Sequence, residues 1–559
     1  MDRRRWENSR SLGAEIGAAP SPDPLPVSSW FFRSDLIMKR LPLILLTLLS
    51  TAAPAGSQQN RTAVGQEYMI SAPTPEAVEA GQAILEGGGN AVDAAAATAF
   101  ALLVTDPQMA SVGGRSQILI RLQDGSFIGI DGATQAPLRV DEPWRVGHGY
   151  GTVPIPGSPA ALEEMLREYG TLSLAEVLQP AIRLAAEGFT IKADLHDAFR
   201  LHEETLKRYA GTRVHFFKAD GSPYSEGDVF RQPALARTLE AMARDGAGAL
   251  YRGALADALV ADMESNGGLI GHDDLAQYRP RPGEIVEGSY RGHPIVARGG
   301  NCDGASVIEM LQILEHFDLA GYDITDPEYI HIIAQALYLG VTDEYVPDWM
   351  QVSKAHAARR VREIDLEKTL PIPVRGGSAP EGDTHHLSVV DAEGNAVAIT
   401  QSIGPSFGSK VASPEMGFFY AYSYDMNDDP VPFQREKTSQ SPTMLLAGGK
   451  PFLVLGSAGS ARIPGSIVRT VVNVVDHGMS LWEALEARRW FIAENELRIE
   501  TQGLESGTLE ALERYRYLLT PYPGIDGYFA RVHAVLVDPA TGTLFGASDP
   551  RDYGGAGGR

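Results

Sequence analysis

A single cysteine, Cys302, stands in a chain of 559 residues. It excludes an intramolecular disulfide and any zinc site built on several thiolates, so stability has to come from packing. Basic side chains are scarce: 48 Lys and Arg against 71 Asp and Glu leave a net charge of −23. That balance repels phosphate backbones and anionic lipid surfaces, and no basic patch follows residue 40, so nucleic acid is not an expected partner. Long apolar runs are missing as well. The stretch Leu41–Leu49 is far shorter than the roughly 20 residues that cross a bilayer, so stable membrane insertion is not expected. There is no P-loop, no strand-linked G-x-G-x-x-G, no H-E-x-x-H and no EF-hand loop, and no metal or cofactor is expected. What is present is ordinary globular material, 44% hydrophobic and 21% charged, long enough for a large composite core.

Residues Met38 to Ser57 read MKRLPLILLTLLSTAAPAGS. A basic pair, a short apolar run and Ala53-Pro54-Ala55 are the three parts of a secretory signal peptide, so 38–55 is expected to be removed and the protein to be periplasmic or secreted. No cysteine follows to make a lipid anchor. Residues 1–37 then read as an early-called start or an extension; the rival reading is a cytoplasmic tail on an anchor helix. Residues 1–55 are set aside for fold purposes.

From Gly56 to about Trp349 the pattern is mostly helical. Glu76–Glu86 is a short amphipathic run stopped by Gly87-Gly88-Gly89-Asn90, and an Ala-rich helix follows from Ala91 to about Val104, small enough to pack closely on another layer. One strand pair, 117–122 and 127–130, is joined at Asp124-Gly125. After residue 380 the character becomes β: 386–390 and 396–400, an alternating aromatic stretch Phe418–Tyr424, strands around Gly448-Gly449, and a last pair at 534–537 and 544–546. Helices at about 466–475 and 481–489 lie between. Hairpins with segregated helices predict an α+β fold of stacked sheets covered by helical layers.

Few generic chemistries fit. Gly404-Pro405-Ser406-Phe407-Gly408 matches G-x-S-x-G, but a nucleophile elbow needs a helix after the turn and 409–414 is not one, so a loop between strands is expected. His385 and His386 are adjacent on a strand and point to opposite faces, so the expectation is one in and one out rather than a shared ion. Cys302 reads as a packing residue.

Six ordered blocks carry a family resemblance: GGNAVDAAAATAFALLVTDPQMASVGG (88–114), PGSPAALEEMLREYGTLSLAEVLQPAIRLAAEGF (156–189), DLAQYRPRPGEIVEGSYRG (274–292), DTHHLSVVDAEGNAVAITQS (383–402), SQSPTMLL (439–446) and GSAGSARI (456–463). Together they resemble the gamma-glutamyltranspeptidase family of N-terminal-nucleophile hydrolases. The resemblance implies a four-layer αββα sandwich and a precursor that cuts itself between Asp383 and Thr384 into fragments 56–383 and 384–559, paired as a heterodimer. A new N-terminal Thr384 carries nucleophile and base in one residue, because an α-amine with a pKa near 7.7–8.0 can take the proton of its own hydroxyl.

By the same resemblance, Ser402 stands where a family Thr bonds the nucleophile's amine, and Gly459 and Ser460 stand where two backbone N–H groups form the oxyanion hole. Thr438 and Ser439 match a Ser pair that binds the acyl carboxylate, and Asp425 and Asp428 match the residues that take the α-amine. A solvated turn is the plainer alternative for those two acids. Two departures stand out. The family's carboxylate-binding Arg and Asn fall on Ala133 and Gly404, and Ala cannot replace a bidentate guanidinium; Arg115, Arg435 and Lys437 are the candidate substitutes. The expected activity is therefore a gamma-glutamyltransferase or glutathione-hydrolase-like reaction on a small-molecule amide through a threonyl ester. An acylase acting on a different acyl group, or a non-catalytic binder of the same fold, is the alternative.

Overall fold

The computed structural model describes residues 60–140, 147–343, 346–370, 382–423, 431–493 and 496–559. The expected extension 1–37 and signal peptide 38–55 lie outside the described residues, and Gln58–Arg559 form one compact unit.

Two seven-stranded sheets carry the fold. Their strands in chain order are β1 (Thr62–Gly65), β2 (Tyr68–Ala72), β3 (Arg115–Arg121), β4 (Phe127–Gly132), β5 (Arg281–Pro282), β6 (Ile285–Tyr290), β7 (His293–Arg298), β8 (Gly382–Asp391), β9 (Ala396–Pro405), β10 (Thr443–Ala447), β11 (Lys450–Ala458), β12 (Arg531–Val537), β13 (Leu544–Ser548) and β14 (Gly555–Gly558). The first sheet runs β14-β2-β8-β9-β3-β4-β5 and the second β1-β13-β12-β11-β10-β7-β6. Both sheets mix strands from before and after residue 383, so the two halves of the chain interleave.

Between the sheets, Leu119, Val390 and Ala398 of the first meet Met444, Val454 and Val535 of the second. The opposite face of the first sheet, with Ile118, Leu387 and Ile399, is covered by helices including α1 (Pro75–Glu86), α2 (Ala91–Thr105) and α3 (Ser158–Tyr169). The outer face of the second sheet is covered by α4 (Gly304–Leu314), α5 (Pro327–Thr342) and α6 (Ile463–Val475). This is the expected four-layer αββα sandwich. Every residue of β3, β9 and α2 except Pro405 is buried, because each is covered on all sides.

α2 is the element that positions the central strands. Asn90 caps it by accepting from the N–H groups of Val92 and Asp93, and the Asp93 carboxylate returns a bond to the Asn90 N–H. Asp391, at the far end of β8, accepts the Ala91 N–H at 2.9 Å, while Asp106 at the helix C-cap meets His385 at the near end. The Ala-rich sequence lets the helix lie close along β8 and β9, pinned at both ends.

Three expectations are corrected. Phe418–Ser423 is not a strand but a buried segment with isolated bridges from Phe419 to Ala412 and from Tyr420 to Gly113, its aromatic rings filling space under helices; Tyr424 lies outside the described residues. The N-terminal half is less purely helical than expected, since β1, β2, β5, β6 and β7 come from it. His385 and His386 do point to opposite faces, but neither is outside, because both faces of the sheet are covered.

Candidate active site

Thr384 pairs with Ser402, and Ser402 with Arg115, so three side chains from β8, β9 and β3 form one row on the face toward the second sheet. Thr384 is 5% and Ser402 1% exposed in the uncut chain. The β8–β9 register slips between Asp383 and Thr384: Asp383 sits opposite Gly404, while Thr384 sits opposite Ser402, leaving Ile403 as the extra residue. β9 therefore continues past Thr400 to Pro405, and the slip falls at the bond expected to be cut. Ser402 Oγ accepts the Gly404 N–H at 3.0 Å.

The absence of a side chain at 404 has a physical cause. Gly404 has φ +93°, and a Cβ there would come within 2.6 Å of the Tyr422 carbonyl oxygen. The family's Asn has no room. The Ser406 turn that follows leads into irregular chain, as expected for a loop and not an elbow.

Below the nucleophile lies His386. Its ring pairs with Thr400 Oγ1 at 2.8 Å and Ser388 Oγ at 3.1 Å and lies against Gly456 of β11, where an added Cβ would fall 2.3 Å from the ring. Burial, then His533 and His385, pushes its pKa well below the ordinary value, so the ring is neutral. On the helical side His385 bridges Asp106 Oδ2 at 3.3 Å and Gln401 Oε1 at 2.9 Å, and the Gln401 amide donates on to Ser116 Oγ.

β11 ends at Ala458, and the turn Gly459–Ser460 leads through a short 3-10 turn into α6. Ser460 has φ +56°, and the Arg462 N–H closes the turn on the Gly459 carbonyl at 3.2 Å. Among the described residues neither the Gly459 nor the Ser460 N–H has an acceptor. Successive N–H groups in such a turn form an anion-binding nest. Thr384 and Ala458 line one small cavity of about 10 Å³, room for about one water, together with Asp106, Asp194, Arg531 and His533. Asp194 and Arg531 also line a neighbouring open cleft of about 1140 Å³.

On the acyl side, Ala133 is fully buried. Among the candidate cations, Arg435 and Arg115 are held by groups within the chain. Arg435 donates to the carbonyls of Asp131 and Ala133 and to the Tyr278 hydroxyl, and stacks over the Tyr278 ring at 4.5 Å. Arg115 pairs with Glu436 at 2.5 Å. Lys437 is exposed. The segment 433–436 is laced to 134–136 by backbone bonds, and the Thr438 N–H donates to Asn301 O at 2.8 Å, which brings Thr438 and Ser439 just past the Arg115–Glu436 pair. Asp425 and Asp428 lie outside the described residues. Cys302 is buried as expected, its thiol pushed up to about 12 by burial first.

Sequence reasoning missed Asp106, Asp194, His533 and Glu436. Each comes from a segment remote in sequence, and only the tertiary fold brings Asp106, Asp194 and His533 to the Thr384 cavity and Glu436 to Arg115. A separate buried group, Glu309, Asp343 and His356, has metal-ligand residue types, but Arg360 Nε lies 3.0 Å from Asp343 Oδ2 and Arg359 donates to His356 Nδ1, so its charges are balanced by cations within the chain.

Two interleaved antiparallel sheets between helical layers, with a threonine on a central strand, define the architecture of the N-terminal-nucleophile hydrolases. The chain belongs to the gamma-glutamyltranspeptidase family, whose model matches residues 77–558. It is 32% identical over 537 residues to the glutathione hydrolase proenzyme of Escherichia coli (strain K12), covering 87% of this chain and 90% of that protein. It is 34% identical over 528 residues to the acylase ACY 1 proenzyme of Pseudomonas sp. (strain SE83), covering 88% and 93%. The crystal structure of cephalosporin acylase from Bacillus halodurans superimposes with a TM-score of 0.80 at 27% identity, covering 92% of this chain and 99% of that one. The protein is a self-processing hydrolase or acyltransferase of this family. Among the described residues no helix is long and apolar enough to cross a membrane.

Proposed function

We propose that the chain cuts itself between Asp383 and Thr384 and that Thr384 then cleaves amides through a threonyl ester. In processing, the Thr384 hydroxyl attacks the Asp383 carbonyl and the peptide nitrogen leaves as the Thr384 amine. Water then splits the ester, giving an Asp383 carboxylate. In turnover the freed amine takes the hydroxyl proton as the oxygen attacks the substrate carbonyl, and returns it to the departing amine; water or a second amine releases the acyl group. Ser402 orients the Thr384 amine, and the Gly459 and Ser460 N–H groups take the charge that develops on the carbonyl oxygen, where one donor is worth about 10²–10³ in rate.

The observation that carries this reading is the cavity lined by both Thr384 and Ala458, the residue just before the Gly459–Ser460 turn, which supports a nucleophile close to those N–H groups. The interleaved strands support fragments 56–383 and 384–559 remaining together as a heterodimer, since neither sheet is complete without both. Thr438 and Ser439, with Asp425 and Asp428, are the proposed acyl-binding set. Intact-mass analysis is the test. Two chains meeting at 383/384, and one uncut, inert chain for Thr384→Ala, are expected; an uncut but active wild type overturns it.

The substrate is a small-molecule amide. The glutathione hydrolase relative supports a gamma-glutamyl acyl group, whereas buried Ala133 and the steric closure at Gly404 favour an acylase acting on another acyl group. Export to the periplasm or medium is proposed from Met38–Ala55, and N-terminal sequencing of exported protein starting at Gly56 would support it.

A further inference from the structure

Arg115 has a place in the site that the family comparison does not assign. Ser116 pairs with Gly132, so residues 115 and 133 are next in line on neighbouring strands, on the face that carries Ser402 and Thr384. The cation thus stands one strand nearer the nucleophile than an arginine at 133 would. At a strand spacing of about 4.8 Å, its Cα is about 10 Å from that of Thr384, within a side chain's reach of a short acyl group.

This guanidinium arrives already neutralised. Glu436 Oε2 lies 2.5 Å from Arg115 Nη1, the two side chains are 7% and 2% exposed, and the Thr134 hydroxyl donates to the same oxygen at 2.8 Å. The buried Arg115 Nε has no acceptor among the described residues. A second carboxylate brought here would stand beside the buried Glu436 carboxylate, a like-charge contact in a setting where charge is costly to bury. An uncharged acceptor would satisfy the spare N–H without that conflict.

We propose that Arg115 and Glu436 form an acyl-recognition pair and that the acyl group carries an uncharged hydrogen-bond acceptor, a carboxamide or ketone, where a gamma-glutamyl group carries its α-carboxylate. This rests on Thr384 as nucleophile. Glu436 sets the specificity by holding the cation's charge, and Arg115 supplies the donor.

The test uses two isosteric substrates, glutaramyl and glutaryl p-nitroanilide, with the self-cut enzyme. Wild type should favour the glutaramyl compound by about tenfold to a hundredfold in kcat/KM, chiefly through KM. Glu436→Gln should shift the preference toward glutaryl, because Arg115 then keeps its charge for the substrate. Since one uncompensated buried charge can prevent folding, Arg115→Gln/Glu436→Gln provides a neutral, nearly isosteric companion whose preference should fall to about unity. Equal rates or a glutaryl preference in wild type overturns the proposal. So does an unchanged ratio in both variants, or turnover of neither compound by a chain that has cut itself. A chain that stays whole instead sinks the Thr384 reading, and this one with it.

Discussion

Thr384 and Ser402 face each other across β8 and β9, and the register of the two strands slips by one residue immediately before that pair. The slip removes Asp383–Thr384 from a regular ladder, so the bond is held by a bulge rather than by evenly spaced hydrogen bonds. Ser402 in turn fixes the far side of the bulge through the Gly404 N–H.

Ser402→Ala should therefore slow both self-cutting and turnover, by about tenfold each, because the Gly404 N–H loses its acceptor and the Thr384 amine its partner. Single-turnover rates and the time course of fragment appearance measure the two effects. A variant that cuts and turns over like wild type removes Ser402 from the mechanism.

Restoring the family residue with Gly404→Asn should be harmful. The positive φ and the approach of Tyr422 O cost roughly 2–4 kcal/mol together, so the variant should melt several degrees lower and cut itself poorly. Thermal melts decide it, and a melting point within about one degree of wild type would show that the backbone relaxes.

Gly456→Ala tests the contact between the sheets. A methyl 2.3 Å from the His386 ring has to push the ring off Thr400 and Ser388, at a cost of about 1–3 kcal/mol. Denaturant midpoints of the uncut Thr384→Ala background, with and without the added methyl, isolate this from catalysis.

Asp194 should make stability depend on pH. Burial, then Asp106, and more weakly Asp552, push its carboxyl up to about 7, against the Leu195 N–H and Arg531; His385 and His533 line the same cavity. Because the folded value lies above the unfolded one near 3.9, folding favours the protonated acid. The contribution is full below about pH 4 and is lost as pH rises toward about 7. Asp194→Asn should gain stability relative to wild type across that window and hold the gain above it. Melts from pH 4 to 8 check this, and a parallel displacement at every pH would refute the assignment.

Much of this protein is legible in the sequence. The Ala-rich run from Ala91 to about Val104 announces a helix that packs closely and the alternation in 386–400 announces the central hairpin, because periodicity is a local property; Asp383-Thr384 and Gly459–Ser460 carry the proposed chemistry through the family resemblance of short motifs. The strands of residues 62–72 and 285–298 were hidden, since they are short and their burial does not alternate: 68–72 is buried throughout, 62–65 buries only Gly65, and 285–290 buries only Val286 and Tyr290. The aromatic alternation of 418–423 misled for the converse reason: its rings are arranged by packing, not by a ladder. Only the tertiary structure decided why 404 must be glycine, since the obstacle is Tyr422, eighteen residues on. Only it decided the fate of the cations. Arg115 and Glu436 are 321 residues apart in the chain, and a charge pair between a strand and an irregular segment so far along the chain leaves no trace in either by itself.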